Sequence, residues 1–403
     1  MIEPISTNPT TKQTGTLMPR VAAGNTTSRP LRIALAHDWI AGVRGGERVL
    51  EAIAHCLAPN HTLVGLFTMF DDGGMIGPAT NDVARICWPM GNVPGISDRL
   101  RRWMLPAYPT AVEHLSRRLS ELHKREPIDL LISTSSAAIK GLRPPRNVPH
   151  LCYCHSPARY IWSQEDAYAR GNFLRGLGLR AYRSHFMAWD RATAANVTQF
   201  IANSRHTACE IERCFGRDAK VIQPPVRTEY FTHDPKVERE DFWLYTGALE
   251  SYKNVELAIA AAELAKQSLL IAGTGSDASR LKSLAGPHTK FFGHVSDEEL
   301  RSLYRRARLV VFPQVEDFGI VAVEAQSCGT PVVAFAQGGA LDSVHDGITG
   351  ALFHEPTAQS LCDAASRCEI DEIACRSNAE KFSAAAFESQ LRNSINALIP
   401  AAQ

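Results

Sequence analysis

The stretch VEDFGIVAVEAQSCGTP, residues 315–331, sets two glutamates eight positions apart, Glu316 just ahead of a glycine and Glu324 inside an apolar run. A carboxylate taken out of water without partners costs several kcal/mol, so each must meet water, a base or a ligand's hydroxyl groups. The flanking residues predict a buried strand over RLVVFPQ (308–314), a turn over Glu316-Asp317-Phe318-Gly319, and a helix from Ile320 to Ser327 closed by Gly329 with Pro331 beyond it. Glu316 thereby sits at the carboxyl end of a strand, with Glu324 about one helical turn inside the helix. Two groups that only accept hydrogen bonds, flanking a helix start whose amides lack partners, suit a molecule with hydroxyls at both ends and phosphate in the middle. A nucleotide sugar has that shape.

Three glycine-rich strand ends are further candidates for holding an anion. HDWIAGVRGGERVLEAIA (37–54) places Gly42, Gly45 and Gly46 ahead of the helical pattern Val49, Leu50, Ile53 and Leu57. SLLIAGTGSD (268–277) ends a strand with Gly273 and Gly275, and QGGALDSV (337–344) sets Gly338 and Gly339 before a short helix. Unpaired amides and the macrodipole make a helix start favourable for phosphate. A plain strand-to-helix turn explains each loop taken alone, and the G-x-G-x-x-G dinucleotide fingerprint is absent.

The elements that must position these residues alternate. Short apolar runs at 31–39, 61–67, 84–88, 129–135, 150–156, 199–204 and 219–225, then at 242–249, 268–275, 289–295, 308–314, 331–339 and 350–355, are separated by helical patterns. That is the signature of βαβ units and parallel sheets. QPPVRTEYFTHDPKVERED (223–241), proline-rich and charged, reads as an interdomain connection. The expected division is a flexible tail over 1–30, a first Rossmann-like domain over 31–224 and a second over 225–384. Phe387, Leu391, Ile395 and Leu398 predict an amphipathic final helix, about 385–403, able to pack back on the first domain. Two doubly wound domains facing each other place ligands in the cleft between them.

Composition narrows the classes. With 403 residues and 45% hydrophobic content the chain is long enough for two globular cores. The tail lacks the apolar segment of a secretory signal and no long uncharged run occurs, so a cytoplasmic protein is expected. The ten cysteines are scattered without repeated CxxC pairing and read as reduced thiols; Cys152 and Cys154 fall on one face of a predicted strand. The net charge of +1 conceals an asymmetry: residues 1–200 carry 23 Lys+Arg against 15 Asp+Glu, and the remainder 20 against 27. The first half is therefore the one suited to an anionic surface.

EDFGIVAVEAQSCGTPVVAFAQGGALDSVHDGITGALF (316–353), with GALESYKNVELAIAAA, IANSRHTACEIERCFGRDAKVIQPPV and YCHSPARYIWS, resembles the retaining glycosyltransferases of family 4, whose fold is GT-B. The likeness extends over most of residues 31–390, and EDFGI with CHSPARYIW is most similar to bacterial mannosyltransferases of surface polysaccharide assembly that use GDP-mannose. The resemblance implies that Glu316 holds donor-sugar hydroxyls, that the amides of Phe318, Gly319 and Ile320 support sugar and phosphate, and that Glu324 binds the ribose. Lys253 matches the diphosphate-binding lysine, Gly45 and Gly46 the loop near phosphates and acceptor, and His155 a histidine that meets the donor sugar across the cleft. One departure stands out: the family commonly has arginine in GRL before the lysine, and this chain has Ala248.

No Asp-x-Asp occurs, so metal-independent transfer without a cofactor is expected, with Lys253 and helix N-termini facing the diphosphate. The basic, apolar-rich stretches 99–125 and 170–191 suggest a peripheral protein on an anionic membrane surface, acting on a saccharide acceptor linked to polyprenyl diphosphate; no nucleic-acid partner is expected. Competing readings are a UDP- or dTDP-sugar donor and a catalytically silent nucleotide-sugar-binding homologue. A periplasmic-type binding protein conflicts with the missing export signal, and an NAD-dependent dehydrogenase with the missing fingerprint.

Overall fold

The computed structural model describes residues 29–42, 45–93, 101–162, 173–369 and 371–399. The expected tail up to residue 28, the tip of the first glycine loop and parts of both basic stretches lie outside the described residues.

Every predicted apolar run contains a strand. Seven form one sheet, β1 (Arg32–Ile40), β2 (Thr62–Asp71), β3 (Arg85–Cys87), β4 (Leu130–Ser135), β5 (His150–Cys154), β6 (Gln199–Ala202) and β7 (Ala219–Val221), in the order β3-β2-β1-β4-β5-β6-β7. Six form another, β8 (Glu240–Thr246), β9 (Ser268–Ala272), β10 (Thr289–Gly293), β11 (Ala307–Phe312), β12 (Val332–Phe335) and β13 (Gly350–Phe353), in the order β10-β9-β8-β11-β12-β13. Both sheets are parallel and carry helices on their two faces, which is why β4 and β12 are buried along their whole length instead of alternating. The architecture is two Rossmann-like α/β lobes, as in GT-B folds.

In each sheet the strand order reverses beside its first strand, between β1 and β4 and between β8 and β11. A crevice opens beyond the carboxyl ends of strands at such a reversal. Asp38 secures the first one: this fully buried carboxylate, near the end of β1, accepts hydrogen bonds from the amides of Ser136, Ala137, Ala138 and Ile139 at 2.6–2.9 Å. Four donors replace its lost hydration and fasten the loop after β4 to β1.

The first sheet is covered on one face by the helix Gly45–Leu57 and by the chain's last helix, Ala384–Leu398. Phe387, Leu391 and Ile395 of the predicted stripe are buried there among Leu50, Ile53, Leu130 and Ile132. The helix Tyr108–Arg125 covers the other face through Ala111, Val112, Leu115 and Leu119. This burial corrects the reading of the 99–125 stretch as an interfacial segment. Its leucines at 115 and 119 are core residues, and Arg117 and Arg118 point outward onto Glu113 and Glu121. Among the described residues of this stretch, Trp103, 48% exposed, is the large apolar contribution to the surface.

The chain passes to the second lobe after β7 and returns after the helix Glu372–Glu380, and the two passages lie side by side. The Val226 amide donates to the Phe382 carbonyl at 2.8 Å, and Val226 and Ser383 form a parallel bridge. Val226, Phe318, Val323, Ala379 and Phe382 close a small apolar cluster around this crossing.

Candidate active site

A cleft of about 790 Å³ lies where the two strand-order reversals face each other. The first lobe contributes His37, Gly46, Glu47, His155 and Arg159; the second contributes Thr246, Lys253 and the run Glu316–Val321.

Glu316 follows β11 through Pro313, Gln314 and Val315. Its side chain, about a quarter exposed, accepts from the Lys253 ammonium and from the Gln314 amide at 3.1 Å. Burial opposes ionisation, but the Lys253 charge, the hydrogen bonds of Lys253 and Gln314, and the Arg159 guanidinium together hold the carboxyl below its ordinary range. Lys253 reaches it from the short turn Ser251–Lys253 that follows β8. The second reversal thus brings together one carboxylate and one ammonium that are 63 positions apart in the chain.

The turn itself is fixed by close packing. Gly319 has φ +86°, and a Cβ there would stand 2.7 Å from the Phe312 ring. Gly338 and Gly339 lie directly beneath: added Cβ atoms would meet the Glu316 carbonyl at 2.4 Å and the Phe318 Cα at 2.2 Å, while the Gly339 amide donates to the Glu316 carbonyl at 2.8 Å. The QGG loop is therefore a bed for the turn. Phe318 is buried against Phe382, and the helix Ile320–Ser327 begins at the cleft wall, where Gly319, Ile320 and Val321 line the cavity. An anion there meets the positive end of the helix.

Glu324 lies behind this wall, 5% exposed, with the Arg227 guanidinium 3.7 Å away. Burial raises its pKa to about 7, against the opposing pull of Arg227 and Arg48; Asp297 adds to the rise. Arg227 is also bound to Asp297, at 2.5 Å.

Across the cleft, His155 follows β5. Its Nε2 is buried without a hydrogen-bond partner among the described residues, its ring lies against Tyr153, and burial, then the neighbouring His37 and Arg159, lowers its pKa to about 3. The imidazole is neutral at any physiological pH, a hydrogen-bonding group and not a cation. Gly46 lies close under the histidines: a Cβ would stand 3.3 Å from His37 Cε1, a tight contact, and 3.6 Å from His155 Nε2, an ordinary one. His37 bonds Thr134 Oγ1 at 2.5 Å and has Glu47 4.0 Å from its Nε2. Gly45 opens the helix Gly45–Leu57 on the cleft edge, with open space around its Cα.

The residues Glu316, Phe318, Gly319, Ile320, Lys253, His155, Gly45 and Gly46 are brought together around one cavity, with Glu324 just behind it. Gly273 and Gly275 are not. A Cβ on Gly273 would strike the Gly247 carbonyl at 1.9 Å, and one on Gly275 the Leu249 carbonyl at 2.2 Å. They let the loop after β9 lie flat against the loop after β8, a packing role. Missed in the sequence were His37, Glu47 and Arg159, which line the cleft, and Arg227 behind Glu324. His37 and Glu47 bracket the first glycine loop, and Arg159 lies four residues past His155, so proximity to the recognised motifs was the available signal.

Comparison with known proteins agrees with this geometry. Residues 43–230 match the family described as Glycosyltransferase Family 4, and residues 226–388 match Glycosyl transferases group 1. A D-inositol 3-phosphate glycosyltransferase from Mycobacterium sp. (strain KMS) is 37% identical over 153 residues, 33% of this chain and 35% of the relative. The match thus spans about a third of the length of that curated relative. Among solved structures, a sucrose-phosphate synthase from Thermosynechococcus elongatus superimposes with a TM-score of 0.70 at 20% identity, over 92% of this chain and 100% of the other. Anabaena HepE in complex with UDP gives 0.67 at 17% identity, over 91% and 100%. One glycosyltransferase family model thus matches each lobe, and the two-lobed fold is that of the GT-B structures.

Proposed function

We propose that this enzyme transfers a hexose from a nucleotide sugar to a saccharide hydroxyl, with retention of anomeric configuration and without a metal ion. The observation that carries the reading is the meeting of Glu316 and Lys253, at one strand-order reversal, with His155 and Gly46 at the other. A donor laid across the cleft has its diphosphate against Lys253 and the start of the helix Ile320–Ser327, its sugar between Glu316 and His155, and its ribose toward Glu324. The bond between the anomeric carbon and the diphosphate oxygen breaks; Lys253 and the helix amides stabilise the charge that builds on the leaving group. The acceptor oxygen attacks from the same face, and its proton passes to a leaving diphosphate oxygen. Glu316, paired with Lys253 and ionised, accepts from sugar hydroxyls, while neutral His155 hydrogen-bonds a hydroxyl from the opposite wall.

GDP-mannose is the proposed donor, from the likeness of EDFGI and CHSPARYIW to mannosyltransferases; the competing donor is a UDP-sugar, the nucleotide bound in the HepE structure. The proposed acceptor is a polyprenyl-diphosphate-linked saccharide handled at an anionic membrane surface, supported by the positive balance of the first half. Among the described residues no helix is long and apolar enough to cross a membrane. The name of the curated relatives favours a second acceptor class, an inositol phosphate.

The test is release of nucleoside diphosphate from GDP-, UDP- and dTDP-sugars by the purified chain, with lipid-linked saccharide or inositol phosphate, in excess EDTA. Turnover with GDP-mannose and lipid-linked saccharide alone is expected. Loss of turnover in EDTA with recovery on adding manganese refutes the metal-independent mechanism, and no release from any donor refutes transfer.

A further inference from the structure

The donor reading leaves an unbalanced charge. A nucleoside diphosphate brings at least two negative charges into the cleft, and the one ammonium placed for it, Lys253, is already bound to Glu316. Ala248, exposed on the loop after β8, supplies none. Two other Lys or Arg side chains line the cleft among the described residues, Arg101 and Arg159. The Arg101 guanidinium lies over the Trp39 ring, 4.8 Å from its centroid, within the first lobe. Arg159 opens the short helix Arg159–Trp162, four residues past His155, and its Nη2 donates to Asp317 Oδ2 across the cleft. Asp317 is the residue between Glu316 and Phe318, so the Arg159 guanidinium stands at the mouth of the helix start where the diphosphate is placed. About 30% of its side chain is exposed, compared with 1% for Lys140, which is locked onto Asp190 in the first-lobe core.

We infer that Arg159 is the second cation of the diphosphate subsite, paired with Asp317 and transferred to diphosphate oxygens when the donor enters. The inference rests on the nucleotide-sugar reading above. Guanidinium forks match phosphate oxygens bidentately, so the exchange trades one carboxylate for a more highly charged acceptor of similar geometry. Because Arg159 and Lys253 belong to opposite lobes, a diphosphate held by both ties the lobes together. A clamp carried by one lobe alone cannot do that.

Calorimetric titration of the full chain with GDP, UDP, GMP and UMP tests this. The Arg159→Gln variant should bind the nucleoside diphosphate that wild type prefers at least tenfold more weakly, the range of a hydrogen bond to a charged group. Its affinity for the matching monophosphate should stay within about twofold, which also shows that the variant is folded. Asp317→Asn, which frees the arginine, should bind the diphosphate as tightly as wild type or more so. Equal loss in Asp317→Asn and Arg159→Gln means the pair only fastens the lobes, and overturns the inference. Wild-type affinity in Arg159→Gln overturns it while leaving the donor reading intact. Failure of wild type to bind either diphosphate removes the donor reading, and this inference with it.

Discussion

Replacing Glu324 by glutamine should make the empty enzyme more stable at alkaline pH while weakening its hold on the donor. The side chain is 7% exposed, and burial lifts its pKa from 4.5 to about 7. A carboxyl whose folded pKa is raised contributes stability that is complete below its unfolded pKa and is lost as pH climbs through the folded one, here between about pH 4.5 and 7. The difference corresponds to about 3 kcal/mol. Glutamine keeps the shape of the protonated acid and has no proton to lose. Arg227 is not orphaned by the change, since Asp297 still pairs with it. Urea unfolding of the unliganded wild type and Glu324→Gln, at pH 5 and pH 8, should therefore show the variant gaining about 2.5 kcal/mol on wild type across that interval, the rest being already lost by pH 5. At pH 8, where the wild-type side chain is ionised, the proposed placement of the ribose toward Glu324 predicts a KM for the donor at least tenfold higher in the variant. A stability difference between the two proteins that stays constant with pH refutes the reasoning, for it would mean that Glu324 titrates normally in the folded chain.

Other perturbations have equally definite outcomes. Lys253→Met should lower kcat by about 10²–10³, the usual effect of removing one preorganised donor to developing charge, and steady-state kinetics with saturating donor reads it directly. Gly46→Ala places a methyl 3.3 Å from the His37 ring, so kcat/KM should fall at least tenfold while thermal unfolding shows a stability change within about 1 kcal/mol, the helix propensity of alanine offsetting the crowding. Leu391→Ala removes a 1%-exposed side chain from the first-lobe core and should cost about 2–5 kcal/mol in chemical denaturation; a cost near zero would detach the last helix from that lobe.

Strands and site were legible to different degrees because they depend on different ranges of the chain. Parallel strands buried on both faces are continuous apolar runs, so RLVVFPQ and PVVAFAQGG announced themselves from local composition alone. The turn Glu316–Gly319 and its helix were equally local. What the chain could not show was partnership across it. Asp38 looks like a polar residue at a strand end until four amides a hundred positions away converge on it. Arg159 meets Asp317 over 158 positions. The glycines at 273 and 338 read as ligand loops in sequence, but their contacts are other backbones, and only the folded spacing distinguishes a cradle for phosphate from a bed for a neighbouring loop. The same limit misassigned Leu115 and Leu119: an amphipathic helix with arginines on its outer side has one pattern whether its apolar face meets lipid or a sheet.

The paired passages at Val226 and Ser383 have a mechanical consequence. Two segments hydrogen-bonded side by side at one spot let the halves swing like a door but resist sliding, and the side chain of Phe318 is wedged against Val226 and Phe382 at the pin itself. Any movement at this crossing therefore bears, through Phe318, on the turn Glu316–Gly319. On the proposed donor placement, a shift at this crossing and a shift of the carboxylate set against the sugar are one event, because Glu316 lies two residues from Phe318.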